Sequence, residues 1–460
     1  MWLLLLITIA NASLSMKGFL VRYRLDVGGV PINVLDVLTF LGLLLLPLRR
    51  HKMFVTNRFH PLMRTALVLF ALMTLCGLIE ALLNGCPIYV VGEDARNLLA
   101  LPAAAILGYY YIVNIGSPMW YGWVQVVGGF CAATLILTFF YTRPADVATY
   151  SDINLYRTVD YVAAYAGIAA ALLAYSIASG IRLLPTAAAL ALAGFCLVGQ
   201  FATLARSDWL ATLAAIVMAG AILPRGKRLV SAVRFALASA ILCASIAMAL
   251  YLASHLSGQD FFAKMGRRVG TLLPSDRSGE APKAWVTRVG GSLEELRLWL
   301  HNPLTGNGLA IQALDAPSVS ESVRSGFYHD TWTSTLAQTG LLGFAAMAAV
   351  VGGCIVVGRR VIRDEVDYSF MLVGALAVAT GSFFAVEGLT SYSFNQQRWA
   401  IVLGMTFGAV LRVRAMQLTF IKSRSERLTQ PNTDDASVAT EAELAVGQAH
   451  MWSSTDVANA

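Results

Sequence analysis

Twelve apolar runs punctuate the chain, at about residues 1–15, 33–48, 62–82, 97–115, 119–141, 160–180, 184–203, 208–223, 229–253, 331–357, 368–388 and 398–413. Apolar runs approaching twenty residues predict helices that cross a membrane. Polar positions collect between them in short basic turns and in three longer stretches, about 83–96, 142–159 and 254–330. In the longest stretch the pattern becomes periodic. Trp285, Val289, Leu293, Leu296 and Leu300 recur every three or four residues and predict an amphipathic helix from about Pro282 to His301. Pro303 disfavours helix at Asn302, and Gly306 and Gly308 supply a turn beyond it. The expectation is an all-α integral membrane protein of about 12 transmembrane helices, with a large extracytoplasmic loop carrying amphipathic helices between spans 9 and 10.

Composition agrees: 57% of the 460 residues are hydrophobic and 13% charged, half the charge of an average soluble domain. The net charge of +7 could suggest a nucleic-acid partner, but the basic residues gather at the ends of apolar runs, where they set orientation. Arg49, Arg50, Lys52, Arg58 and Arg64 surround the turn after span two, and Arg225, Lys227, Arg228 and Arg234 follow span eight. Arg359, Arg360 and Arg363 follow span ten, and Arg412, Arg414, Lys422, Arg424 and Arg427 follow span twelve. With twelve spans all four groups share the cytoplasmic side; Lys17, Arg22 and Arg24 alone dissent. The expected division is 1–253 for spans one to nine, 254–330 for the outer loop, 331–413 for spans ten to twelve, and 414–460 for a tail, basic and then disordered. No Cys-x-x-Cys or Cys/His cluster supports a disulfide framework or structural zinc.

Three positions on the outer face stand out as chemistry. Arg206, in FATLARSDWL, sits at the turn between spans seven and eight, with Asp208 as a candidate partner. Taken alone, it equally fits an arginine that marks the interface. Arg288 lies on the amphipathic helix, which taken alone reads as an interfacial helix with Arg288 and Arg297 toward lipid headgroups. His329 and Asp330 end the loop just before span ten; histidine exchanges a proton near neutral pH, although neighbours on a helix do not face one another. Together they are more informative. Guanidinium groups bind diphosphate through paired hydrogen bonds, and a histidine accepts a proton from a sugar hydroxyl. This set suits glycan transfer from a diphosphate carrier in the membrane. No Walker loop occurs, since the Gly-Asn-Gly turn lacks a following GK[ST].

The stretch from Arg288 through NPLTGNGLA to YHDTWTSTLAQTGLLGF resembles the shared core of the O-antigen ligase and O-antigen polymerase superfamily. Arg288 lies fifteen residues before Pro303, Gly340-Leu341-Leu342-Gly343 matches the family's glycine-bearing helix, and ATLARSDWLA resembles its arginine turn. Ser292 stands where the family commonly has an aromatic, Ala205 where it has serine, and Asp330 where it has asparagine. The resemblance covers about 185–345. It implies a metal-independent glycosyltransferase of the bacterial inner membrane, without cofactor, acting on the periplasmic face. Its partners would be an undecaprenyl-diphosphate-linked glycan donor, a lipid or glycan acceptor and the lipid bilayer, with no nucleic acid. By this carry-over Arg206 and Arg288 bind the diphosphate, Arg96 joins them, His329 assists the acceptor hydroxyl, and Asp330 stands beside it in the substrate site.

Ligase, with a lipid A-core acceptor, and polymerase, with a lipid-linked repeat as acceptor, both fit. A flippase or transporter is the alternative from another class. It fits less well because the halves are dissimilar and the charges lie near span ends, with Glu387 closest to an exception.

Overall fold

The structure, a computed structural model, describes residues 2–13, 25–27, 30–32, 34–48, 60–112, 117–142, 162–203, 205–223, 228–257, 280–309, 330–364, 366–389 and 397–429. Among the described residues, each of the twelve apolar runs holds a helix. In chain order they are α1 (Trp2–Ser13), α2 (Val34–Leu48), α3 (Pro61–Leu83), α4 (Ile88–Tyr111), α5 (Met119–Thr142) and α6 (Ala163–Ser179). They continue with α7 (Thr186–Ala202), α8 (Arg206–Ala221), α9 (Arg228–Ser257), α11 (Thr331–Arg363), α12 (Tyr368–Glu387) and α13 (Gln397–Thr429). Between α9 and α11 lies the predicted amphipathic helix, α10 (Glu280–His301). Helices α3, α5, α11, α12 and α13 each hold a segment long and apolar enough to cross a membrane, and most of the others are shorter apolar helices. Helix α4 carries Glu93, Asp94 and Arg96 in its first three turns. The architecture is that of a helical membrane protein.

Four features depart from the hydropathy reading. First, β1 (Leu25–Val27) and β2 (Val30–Ile32) pair antiparallel, with Leu25 opposite Ile32 and Val27 opposite Val30. The Gly28-Gly29 pair between these two β-branched stretches is a hairpin signal that span counting overlooks. Second, the last helix continues past 413 to Thr429, where a basic tail was expected. Residues Met1–Val413 form one compact unit and Arg414–Ala460 a second. Within the second unit Arg414 donates to Gln417 Oε1 at 2.8 Å, one of the short-range pairs that support a helix of polar residues. Residues 430–460, read as disordered from sequence, lie outside the described residues. Third, α11 is interrupted at Gly340, which has φ 63° and ψ −159°. Fourth, α10 turns its apolar stripe outward: Val289, Leu293 and Leu300 are exposed, whereas Glu295 is buried.

Helix α6 forms the middle of the core. Its sequence AAYAGIAAALLAYSIAS is buried on nearly all sides, packed by α5, α7, α8, α9 and α12. Alanine and glycine let helix backbones approach closely, which supplies packing where water does not drive association. Lipid-type surface lies elsewhere: Val68, Leu72, Leu75, Ile79 and Leu82 make an exposed stripe along α3 at three- and four-residue spacing. The chain thus has apolar residues both inside and outside, as a helix bundle surrounded by hydrocarbon requires.

Candidate functional site

The glycine-bearing motifs meet where α10, α11 and α3 join. In an uninterrupted helix the amides of Leu341 and Leu342 would donate to the carbonyls of Ala337 and Gln338. Here Leu341 N donates to Pro303 O at 2.9 Å and Leu342 N to Leu304 O at 3.3 Å. The carbonyls left over are taken up by the same loop: Asn307 N donates to Ala337 O at 2.8 Å and Gly308 N to Gln338 O at 3.0 Å. The Pro303–Gly308 turn therefore splices into the broken helix, and the backbone groups freed by the break are satisfied. Glycine is required on both sides of the splice. A Cβ on Gly340 would run into the Leu304 carbonyl, and one on Gly306 into the Gln338 carbonyl, and both residues have positive φ.

Helix α3 closes the junction. Leu309 N donates to Gly77 O at 3.0 Å, Asn84 Nδ2 to Asn307 O at 3.2 Å, and Asn302 Nδ2 to Glu80 Oε1 at 3.3 Å. Asn307 Nδ2 adds bonds to Leu298 O at 2.7 Å and Ala337 O at 3.0 Å, locking the end of α10 to α11.

One and two turns back along α10, a polar cluster meets the start of α11. Asp330 caps α11, its Oδ1 accepting from Thr333 N at 2.7 Å, while Oδ2 accepts from the Ser292 hydroxyl at 2.8 Å. Glu295, 2% exposed, accepts from the Thr333 hydroxyl through Oε2, and its Oε1 lies 2.9 Å from the Ser334 hydroxyl. That hydroxyl also lies 2.7 Å from the Asp330 carbonyl oxygen, so its single proton has two acceptors. Burial raises the Glu295 carboxyl to about 7; the two hydroxyls oppose the rise and the Asp330 carboxylate adds to it. The start of α11 is held from its other side by Thr331 N, which donates to Gly388 O at 2.7 Å.

Arg288 and Asp330 lie at this junction, whereas Arg206, Asp208 and Arg96 belong to other helices. Arg288 is on α10, one helical turn before Ser292 and two before Glu295, on the same face by helical periodicity. Arg206 is the first residue of α8, immediately after the turn from α7. Asp208, its suggested partner, is fully buried in the first turn of α8, and Gln200 Nε2 donates to its backbone carbonyl at 3.1 Å. Arg96 lies within α4, 3.8 Å from the Asp36 carboxylate of α2 and 3.7 Å from Glu93. His329 lies outside the described residues. Asp330 therefore has a local role as helix cap and α10 tether. Arg297 sits exposed on α10, paired with Glu294 at 2.7 Å. Among the described residues no group of three or more His, Cys, Asp or Glu side chains comes together as a metal-binding set.

Glu295 was not singled out in the sequence, and Ser292 only as a departure from the family pattern. Their signal was present in the polar positions 288, 292 and 295, which share one face of α10. Taken alone, the helix reads as interfacial with its arginines toward lipid headgroups, which leaves these positions without a packing partner in the sequence.

Residues 188–348 match the family model described as O-antigen ligase. No curated protein matches the chain. The matched stretch runs from α7 to the middle of α11 and contains Arg206, Arg288, the spliced glycine turn and the Gly340 break. Over this core, 161 of its 460 residues, the chain is similar to the O-antigen ligase family.

Proposed function

We propose that the chain is a twelve-span enzyme of the bacterial inner membrane that acts at the periplasmic face, where its 254–330 loop lies. It transfers an undecaprenyl-diphosphate-linked glycan to an acceptor, for which lipid A-core is the first choice. The observation that carries this reading is the family match over 188–348, which spans both candidate arginines and the glycine junction between α10 and α11. In the step proposed, the acceptor hydroxyl oxygen attacks the anomeric carbon and the bond from that carbon to the diphosphate breaks. The hydroxyl proton passes to His329, and undecaprenyl diphosphate leaves with its charge neutralised by Arg206 and Arg288. Guanidinium pairs serve that role without a metal. Arg96 has a lesser claim, since two carboxylates already stand within 4 Å of its guanidinium.

The test is release of undecaprenyl diphosphate by purified protein, with EDTA present, from a lipid-linked glycan and a panel of acceptors. Arg288→Ala and His329→Ala are each expected to lower release by at least about a hundredfold. A lipid A-core acceptor that supports release makes the chain a ligase; a lipid-linked repeat makes it a polymerase. Movement of the lipid-linked glycan across vesicles with no release for any acceptor replaces the enzyme by a transporter.

A further inference from the structure

We propose that Glu295 is a positioning residue of the transfer site: together with Ser292 it pins α10 against the first turn of α11 and so sets where Arg288 stands. The proposal rests on the reading of Arg288 as a diphosphate ligand, and it adds a residue to which the motifs assign nothing.

The argument is one of leverage. Helix α10 is bound to the rest of the molecule at its carboxyl end, where Trp299 Nε1 donates to Pro303 O at 2.9 Å and Asn307 Nδ2 to Leu298 O at 2.7 Å. Arg288 lies fourteen residues before Asn302, about 21 Å along the helix axis at 1.5 Å per residue. A swing of only 10° about that end would carry Arg288 about 4 Å, and misplacement by 1 Å is enough to cost a reaction about a hundredfold. Gly290 and Gly291 lie between Arg288 and Ser292 and weaken the helix in that turn. The outward face supplies no hold either, since Val289, Leu293 and Leu300 are exposed there.

The contacts that oppose the swing are those on the face shared with Arg288. Ser292 reaches Asp330, and Glu295 reaches Thr333 and Ser334. A carboxyl buried to 2% exposure is costly, and these hydroxyls are what offset the cost. The attachment points lie at the N-cap and in the first turn of α11, itself tied to the end of α12 through the Thr331 amide. Arg288 is therefore registered against α11 at a distance of one and two turns.

The experiment compares wild type with Glu295→Ala, Glu295→Gln, Ser292→Ala and Thr333→Val. It reads transfer kinetics and, independently of activity, hydrogen exchange over residues 289–298 and 331–336. Glu295→Ala is expected to lower kcat about tenfold or more, with KM for the donor within about threefold, and to speed exchange in both segments while α6 is unaffected. Glu295→Gln keeps a carbonyl acceptor for Thr333 and is expected to restore kcat to within about threefold of wild type. If Glu295→Ala does not accumulate, Thr333→Val removes one donor and is expected to act in the same direction. Exchange unchanged in Glu295→Ala overturns the proposal. So does full activity in that variant, or a Gln variant as impaired as the Ala variant. If wild type itself transfers nothing to any acceptor, the enzyme reading has failed, and the exchange measurement still decides whether Glu295 pins the helix.

Discussion

The buried carboxyl of Glu295 makes the attachment of α10 depend on pH in a direction that can be worked out. Its value is raised from 4.5 to about 7, chiefly by burial. At about 1.4 kcal/mol per pH unit, that rise corresponds to ~3 kcal/mol between the attached and detached states. A carboxyl raised on attachment holds its proton more tightly when attached. Attachment is therefore strongest below pH 4.5, weakens through the window from 4.5 to about 7, and is flat above it. The perturbation is Glu295→Gln, which keeps the shape and an acceptor but cannot ionise. The assay is hydrogen exchange over 289–298 and 331–336 in wild type and variant from pH 4.5 to 8, corrected for intrinsic exchange. In wild type the free energy of local opening is expected to fall by up to ~3 kcal/mol across the window, a loss of protection of about a hundredfold. In the Gln variant it stays level, so above pH 7 the variant is the better protected of the two. A wild type without the slope, or a Gln variant that retains it, refutes the electrostatic reasoning. The nearby carboxylate of Asp330 also contributes to the rise. Asp330→Asn is therefore expected to shift the window toward lower pH.

Four further outcomes follow from the junction and from other parts of the bundle. Gly340→Ala meets the Leu304 carbonyl at a backbone conformation that only glycine adopts comfortably, and is expected to cost ~3 kcal/mol or more, read as lost yield of folded protein. Gly352→Ala, in the same helix with open space at its Cβ, is expected to be neutral or slightly stabilising by the same measure. Asn307→Ala removes donors to Leu298 O and Ala337 O and is expected to lower stability by about 1–3 kcal/mol, seen as a lower thermal unfolding midpoint. Asp36→Asn withdraws one of the carboxylates near Arg96. If Arg96 contributes to donor binding, the donor KM falls a few-fold; an unchanged KM removes Arg96 from the site.

Much of the helical framework was legible from hydropathy alone, because burying twenty apolar residues in hydrocarbon is a local property of each run. The end of α10 was legible for a similar reason: Pro303 disfavours helix before it, and α10 stops at His301. Positions of Arg206 and Arg288 on their elements followed from the same local signals. The two-stranded pair at 25–27 and 30–32 was missed because a search for long apolar runs passes over two three-residue stretches. The extension of α13 to Thr429 was missed because its last turns are polar and mark no membrane limit.

What the sequence by itself determined was the set of helices, the amphipathic segment before span ten and the family motifs, all of which are written in short-range patterns. Only the tertiary structure decided what those patterns touch. The apolar stripe of α10 would face a core in water, but in a bundle that exposes apolar surface throughout, it faces outward and the polar stripe turns in. That inversion buries Glu295 and joins Ser292 to Asp330, residues 38 apart in sequence. Likewise GNG and GLLG read as a turn and as a helix. Their backbones exchange hydrogen bonds because a break at Gly340 leaves groups that only a loop some thirty residues upstream is placed to satisfy. Periodicity specifies a residue's face; what lies against that face is a long-range property, fixed by the hydrogen bonds and packing of the assembled bundle.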